Sequence, residues 1–321
     1  MTTTVAPPDL IGLYWSALAH TMDFADLPAH TATSASTVDP TAAPAATTAA
    51  DAPVEAKVYV RPNGLEYIPR SLMVGDTKMQ DVTMLRQSID AGLPVLLYGE
   101  PGCGKTALVE AAFGENLLTV QGTVETETAD FVGSWTQQPD GTYVWVDGPL
   151  VVAAETGAKL LVDEVALIDS RVMAIVYALM DGRGEIVITQ NPLRGVVKAA
   201  PGFMVIGACN PNVPGAQMSD ALLSRFAIHI EMGTDWGLAT KLGIGSKIVQ
   251  VTRNLNDKYS RGELTQAPQL RELIQFRDVS AKFGEAFALR NFISQIRAEN
   301  RKIAQDAIEA VFGTAAQPLT V

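Results

Sequence analysis

Residues 99–106 read Gly99-Glu100-Pro101-Gly102-Cys103-Gly104-Lys105-Thr106. They follow the apolar run Val95-Leu96-Leu97-Tyr98 and precede a helix-forming stretch from Ala107 to Ala112. A G-x-x-x-x-G-K-[ST] run in that setting demands a strand, a glycine-rich turn and a helix whose N-terminus opens onto the turn. Backbone N–H groups of such a loop, with the positive end of the helix, collect anionic oxygens. The motif therefore predicts a phosphate grip on residues 99–106. Lys105 would reach the β- and γ-oxygens of a nucleotide, and the Thr106 hydroxyl would hold Mg²⁺. A tight glycine turn without ligand is the alternative, and the flanking strand and helix count against it.

From residue 58 onward, short apolar runs alternate with helical stretches: 95–98, 117–121, 159–162, 203–208 and 228–231. Strands separated by helices predict a mostly parallel sheet covered on both faces, and such strands read as continuous apolar runs. Two segments interrupt the pattern as expected hairpins. Residues 136–147 turn at Pro139-Asp140-Gly141, and residues 185–198 turn at Gln190-Asn191-Pro192. Beyond about residue 235 the periodicity is helical. The expected organisation is a short amphipathic helix in 1–27, an Ala/Thr/Pro-rich disordered linker in 28–57, an α/β nucleotide-binding core in 58–234 and a helical lid in 235–321. The first helix, carrying Leu10, Ile11, Tyr14, Trp15, Leu18 and Met22, reads equally as a hook for a partner or as an element of its own domain.

Charge and cysteine content narrow the classes. The formal net charge is −11, and residues 1–56 contain no base. A nucleic-acid surface needs a basic stripe to neutralise phosphates, so nucleic acid is an unfavoured partner. No apolar run is long enough to span a bilayer, and no Lys or Arg precedes Lys57 to form the basic start of a leader. Cys103 and Cys209 are too few for a disulfide framework and fit reduced thiols in a cytoplasmic protein. His20, His30 and His229 form no ligand-spaced set.

Three further stretches carry chemistry. Lys159-Leu160-Leu161-Val162-Asp163-Glu164 is a strand ending in two acids, the Walker B arrangement of a P-loop protein. Asp163 would hold Mg²⁺ through its water shell, and Glu164 would polarise the attacking water. Asn210 ends the run Phe203–Cys209 and is placed to orient that water, although Asn-Pro also favours an Asx turn by itself. Arg225, in Met218–Phe226, is an arginine-finger candidate, a group that can come from the same or a neighbouring subunit. In isolation it reads as a surface Arg.

Together these pieces resemble an AAA+ ATPase. Val146-Asp147-Gly148-Pro149-Leu150, running on to Ala153 and Asp163-Glu164, is similar to the "G-P-L … A … G … L-x-x-D-E" stretch of the MoxR family. Relatives of that clade include the CbbQ/NorQ activases, GvpN, the cobaltochelatase ATPase subunit, midasin and dynein. The two hairpins resemble the insertions that mark the clade, and Cys209-Asn210-Pro211-Asn212 resembles its sensor. The resemblance implies an ATP- and Mg²⁺-dependent ATPase that assembles as a homo-oligomer, a hexameric ring, and remodels a protein client, with or without a von Willebrand-type partner protein. It implies that Arg225 acts in trans and that Arg271, in Gln269-Leu270-Arg271-Glu272-Leu273, senses the γ-phosphate from the lid, with Arg277 as the alternative. Gln269 stands where that lid motif usually has Ser or Thr, and Val165-Ala166-Leu167 replaces the polar run that follows the acids in MoxR chains. Phe131-Val132-Gly133 matches a protein-threading pore loop, but an apolar turn into the insertion is the preferred reading. Two rival classes remain: a nucleic-acid motor like the McrB-type ATPases, with Arg183, Arg194 and Lys198 lining a basic pore, and a nucleotide-gated scaffold with little turnover.

Overall fold

The computed structural model describes residues 58–74 and 77–320. The expectations for residues 1–27 and 28–57 lie outside the described residues. The described residues fall in one compact unit. It begins with four short strands, β1 (Tyr59–Val60), β2 (Glu66–Tyr67), β3 (Ser71–Val74) and β4 (Thr77–Gln80), paired as two antiparallel hairpins. Helix α1 (Asp81–Asp90) leads to β5 (Val95–Tyr98), the phosphate-loop segment and α2 (Lys105–Phe113). Next come β6 (Leu117–Gln121), α3 (Thr128–Val132), the hairpin β7 (Gly133–Gln137) and β8 (Tyr143–Asp147), α4 (Pro149–Thr156) and β9 (Lys159–Asp163). After a 3₁₀ turn at Val165–Leu167 follow α5 (Ser170–Met180), the hairpin β10 (Glu185–Val187) and β11 (Val196–Lys198), β12 (Met204–Cys209), α6 (Asp220–Leu223) and β13 (Ile228–Glu231). The remaining described elements are helical: α7 (Trp236–Lys241), α8 (Ser246–Ser260), α9 (Leu270–Phe283), α10 (Glu285–Gln295) and α11 (Arg301–Phe312), with a 3₁₀ turn at Ala298–Asn300.

Five strands form one parallel sheet in the order β13-β5-β12-β9-β6. Its strands are apolar because both faces are covered: Val95, Leu96, Leu97, Leu160, Leu161, Val162, Val205 and Ile206 are fully buried. The α/β class expected from the alternating pattern is the observed one. Register places the ends of β5, β12 and β9 along one edge, since Tyr98 lies opposite Cys209 and Gln121 opposite Asp163. In an open parallel sheet, ligands bind outside that carboxyl edge.

A second apolar cluster joins α7 to α11 through Leu238, Ile248, Val251, Leu273, Phe292 and Ile308. Phe276 and Phe292 meet edge to face at 6.2 Å within it. The hairpins β7–β8 and β10–β11 stand outside the main sheet and touch each other, with Trp135 Nε1 donating to Gln190 O at 3.4 Å. Arg194 bonds Asp147 at 3.0 Å and Glu155 at 2.5 Å, fixing the second hairpin to the base of the first.

Candidate nucleotide-binding site

A cleft of about 450 Å³ opens at the carboxyl edge of the sheet. The loop 99–106 forms its floor, because glycine backbone lets the chain turn tightly there. Gly104 caps α2 with φ 94°, a left-handed conformation that side chains resist. Lys105 is buried, and its Nζ donates to Gly99 O at 2.8 Å and Glu100 O at 3.2 Å. Thr106 Oγ1 donates to Asp163 Oδ2 at 2.9 Å, so the loop hydroxyl and the strand-tip carboxylate meet across 57 residues of sequence. A hydroxyl and a carboxylate are hard oxygen donors of the kind Mg²⁺ takes alongside phosphates and water, so this pair fits that ion.

Glu164 is the one non-glycine residue with positive φ among the described residues, at φ 50° and ψ 39°. The left-handed turn follows directly from the end of β9, and Glu164 Oε2 accepts from Asn210 N at 3.3 Å. Backbone strain of this kind persists where the surroundings over-determine it. Asn210 is buried at the end of β12, and its Oδ1 accepts from Asn212 N at 3.1 Å. The Asx turn weighed in the sequence therefore forms, and among the described residues the side-chain Nδ2 of Asn210 has no partner. Glu100 Oε1 accepts from Asn212 Nδ2 at 2.8 Å and from Tyr259 Oη at 3.3 Å, linking the loop, the turn after β12 and α8. Cys209 Sγ lies 3.5 Å from Met218 Sδ, and burial pushes its thiol up to about 11.

The roof of the cleft is apolar. Ile68, Leu238, Leu242, Leu270 and Ile274 line it, a slot suited to a flat base. Arg271 also lines it, and a Cβ placed on Gly102 would lie 2.8 Å from the Cβ of Arg271. Arg277 does not line it: its guanidinium bonds Asp278 and Leu242 O. Gln269 is buried at the head of α9 in a capping box with Glu272 and also takes a hydrogen bond from Thr234 Oγ1. The Gln269 amide thus serves the cap of α9 and the Thr234 hydroxyl together.

Arg225 lies apart from the cleft lining, exposed, with its guanidinium 5.7 Å from the centroid of the Tyr177 ring. Phe131 and Val132 are fully buried, as the apolar-turn reading of that segment expects. Arg183, Arg194 and Lys198 each pair with acids, so the three bases offer no unneutralised stripe. His229 Nε2 sits 3.0 Å from the carbonyls of Leu223 and Phe226.

Sequence reading passed over the N-terminal wall. Arg70 Nη2 donates to Cys103 O at 2.5 Å and its Nη1 to Gly233 O at 3.2 Å. Tyr67 Oη donates to Asp81 Oδ2, and burial raises the pKa of both groups. Arg61 pairs with Glu110 at 3.0 Å. No local pattern announces these residues, because their partners lie far along the chain.

The fold and cleft define a P-loop nucleotide-binding protein. Residues 94–226 match the model of the AAA domain, dynein-related subfamily. The chain is 34% identical over 161 residues to the protein NorQ of Paracoccus denitrificans, covering 49% of this chain and 57% of that one. It is 30% identical over 241 residues to an uncharacterized protein of Staphylococcus epidermidis, covering 68% and 90%. It is 32% identical over 140 residues to the protein CbbQ of Hydrogenophilus thermoluteolus, covering 42% and 51%. The matches thus span little more than half the length of NorQ and CbbQ. The chain belongs to the MoxR/CbbQ/NorQ-like AAA+ ATPases. No helix among the described residues is long and apolar enough to cross a membrane.

Proposed function

We propose that the chain hydrolyses ATP with Mg²⁺, as a subunit of a hexameric ring that remodels or matures a protein client in the cytoplasm. The observation that carries this reading is the meeting of Thr106 Oγ1 and Asp163 Oδ2 at 2.9 Å, beside Glu164 and below Arg271. Bound Mg²⁺ would neutralise phosphate charge, held by Thr106 and Asp163. Residues 99–106 direct backbone N–H groups at the phosphates, and Lys105 adds its ammonium. Glu164 accepts a proton from the attacking water, which the Asn210 amide orients. Residues 235–321 act as the lid and bring Arg271 to the γ-phosphate side.

Arg225 stands apart from the cleft of its own chain, which supports its acting on the neighbouring subunit's nucleotide. Completion of the site then depends on assembly. The client, and any von Willebrand-type partner, follow from family membership alone. The neutralised bases near the second hairpin leave the nucleic-acid motor without a supporting observation.

Phosphate release by the full chain tests the reading. Glu164→Gln is expected to bind ATP with turnover about 10²–10⁴-fold lower. Normal turnover in that variant excludes Glu164 as the catalytic carboxylate, and background turnover in the parent, despite ATP binding and assembly, favours the scaffold. Lys105→Ala is expected to abolish ATP binding. Mixed rings of Lys105→Ala and Arg225→Ala subunits are expected to regain activity, and no recovery in rings shown to be mixed refutes action in trans.

A further inference from the structure

The connection between β13 and α7 is four residues long, Met232 to Asp235. Met232 N donates to Tyr98 O at 2.7 Å, pinning one end to the sheet. Asp235 Oδ1 accepts from Gly237 N and Leu238 N, pinning the other to α7. Between them lie Gly233 and Thr234. Among the described residues their hydrogen bonds are two: Gly233 O accepts from Arg70 Nη1, and Thr234 Oγ1 donates to Gln269 Oε1. Gln269 heads α9, two residues before Arg271. The same Arg70 guanidinium holds Cys103 O on the phosphate loop.

That carbonyl shares a planar peptide unit with the N–H of Gly104. The N–H is one of the loop donors aimed at phosphate in the reading above, and it points opposite to the carbonyl. A charged donor on the C=O polarises the unit and strengthens its N–H as a donor. Rotation of that plane toward a phosphate also moves the carbonyl that Arg70 grips. Arg70 is itself fixed: its side chain is largely buried, and its Nε lies 3.9 Å from Asp81 Oδ2, which Tyr67 also bonds. Its Nη atoms are therefore spent on backbone carbonyls from two separate segments.

We infer that Arg70 is a positioning residue that ties the lid hinge to the phosphate loop, so that nucleotide on the loop is felt at Gly233, Thr234, Gln269 and finally Arg271. The inference rests on the ATP-binding reading. A lysine cannot replace Arg70, because a single ammonium lacks the planar fork that reaches two carbonyls in fixed directions.

Hydrogen exchange of the full chain in the Glu164→Gln background, with and without Mg²⁺-ATP, tests it. In the parent, ATP is expected to slow exchange in peptides covering 99–106, 232–236 and 269–275. At saturating Mg²⁺-ATP, adding Arg70→Lys is expected to retain slowing at 99–106, to lose it at 232–236 and to reduce it at 269–275 to what direct contact with nucleotide gives. Thr234→Val cuts the path one link further on and is expected to keep the full effect at 99–106 and 232–236 while reducing it at 269–275 in the same way. Undiminished slowing at 232–236 and 269–275 in Arg70→Lys overturns the inference, as does undiminished slowing at 269–275 in Thr234→Val. If Arg70→Lys fails to fold by circular dichroism, Thr234→Val decides. Absence of slowing at 99–106 in the parent overturns the ATP reading and this inference with it.

Discussion

Glu164 is held in the left-handed region at φ 50° and ψ 39°, and that conformation has a measurable cost. For a residue with a Cβ the penalty is about 1–2 kcal/mol relative to glycine. Glycine loses about 0.5–1 kcal/mol in return, because its unfolded chain is freer. Comparing Glu164→Gly with Glu164→Ala isolates the backbone, since both variants lack the carboxylate and the contact with Asn210 N. The difference should favour glycine by about 0.5–1 kcal/mol, against the usual preference for alanine. For a chain of this size that is about 1–3 °C in the unfolding midpoint. Thermal and urea unfolding of the two proteins, without nucleotide, reads it directly. Both variants should also lack turnover, so stability and activity separate at one position. An alanine variant as stable as the glycine variant, or more so, refutes the claim that Glu164 is strained.

Further expectations concern packing, charge and thiol chemistry. Gly207→Ala would bring a Cβ to 2.8 Å from Phe226 Cζ and 2.9 Å from Leu96 Cδ1 in the middle of the sheet. It should destabilise by about 1–3 kcal/mol in urea unfolding, and a neutral result would mean that the sheet relaxes freely there. Arg194→Ala removes the cation between Asp147 and Glu155 and should cost about 1–2 kcal/mol, with faster exchange in both hairpins. Unchanged hairpin exchange would show that their mutual packing alone holds them. The Cys209 thiol sits at about 11 because of burial, above its unfolded value, so the folded chain keeps a proton that the unfolded chain releases as pH rises past about 9. This group's contribution to stability is present below that pH and falls between about 9 and 11. Native protein at pH 8 should resist thiol labelling at Cys209 and react on denaturation, and rapid native labelling would contradict the burial.

The main sheet was legible because its strands are buried on both faces and read as unbroken apolar runs. Val95–Tyr98, Leu117–Gln121 and Ile228–Glu231 occur at the expected bounds. The strand expected at 203–208 runs one residue later, to Cys209, and the one expected at 159–162 continues through Asp163. The loop and the two acids at the tip of β9 stand out in the sequence because their pattern is local, and the structure brings Thr106 to Asp163. The hairpins β1–β2 and β3–β4 were not, since strands of two to four residues carry too little pattern and owe their shape to what they pack against. Arg70 escaped for a related reason: its partners lie 33 and 163 residues away, and nothing beside it in sequence marks the contact. Gln269 differs from the Ser or Thr of the lid motif, and its partner Thr234 lies 35 residues away in sequence, beyond any local pattern.

The order of the sheet also sets a timetable for synthesis. β5, which delivers the phosphate loop, pairs with β12 on one side and β13 on the other. Both neighbours lie more than a hundred residues later in the chain, as the Ile206–Val95 and Ile228–Val95 registers show. While the chain emerges N-terminus first, the loop is made early but has no strand to rest against. The cleft cannot close until most of the polypeptide is free of the ribosome, and the apolar strand before the loop must wait uncovered during that interval. A chain that grips nucleotide would thus be one whose translation has passed β13 and the hinge behind it.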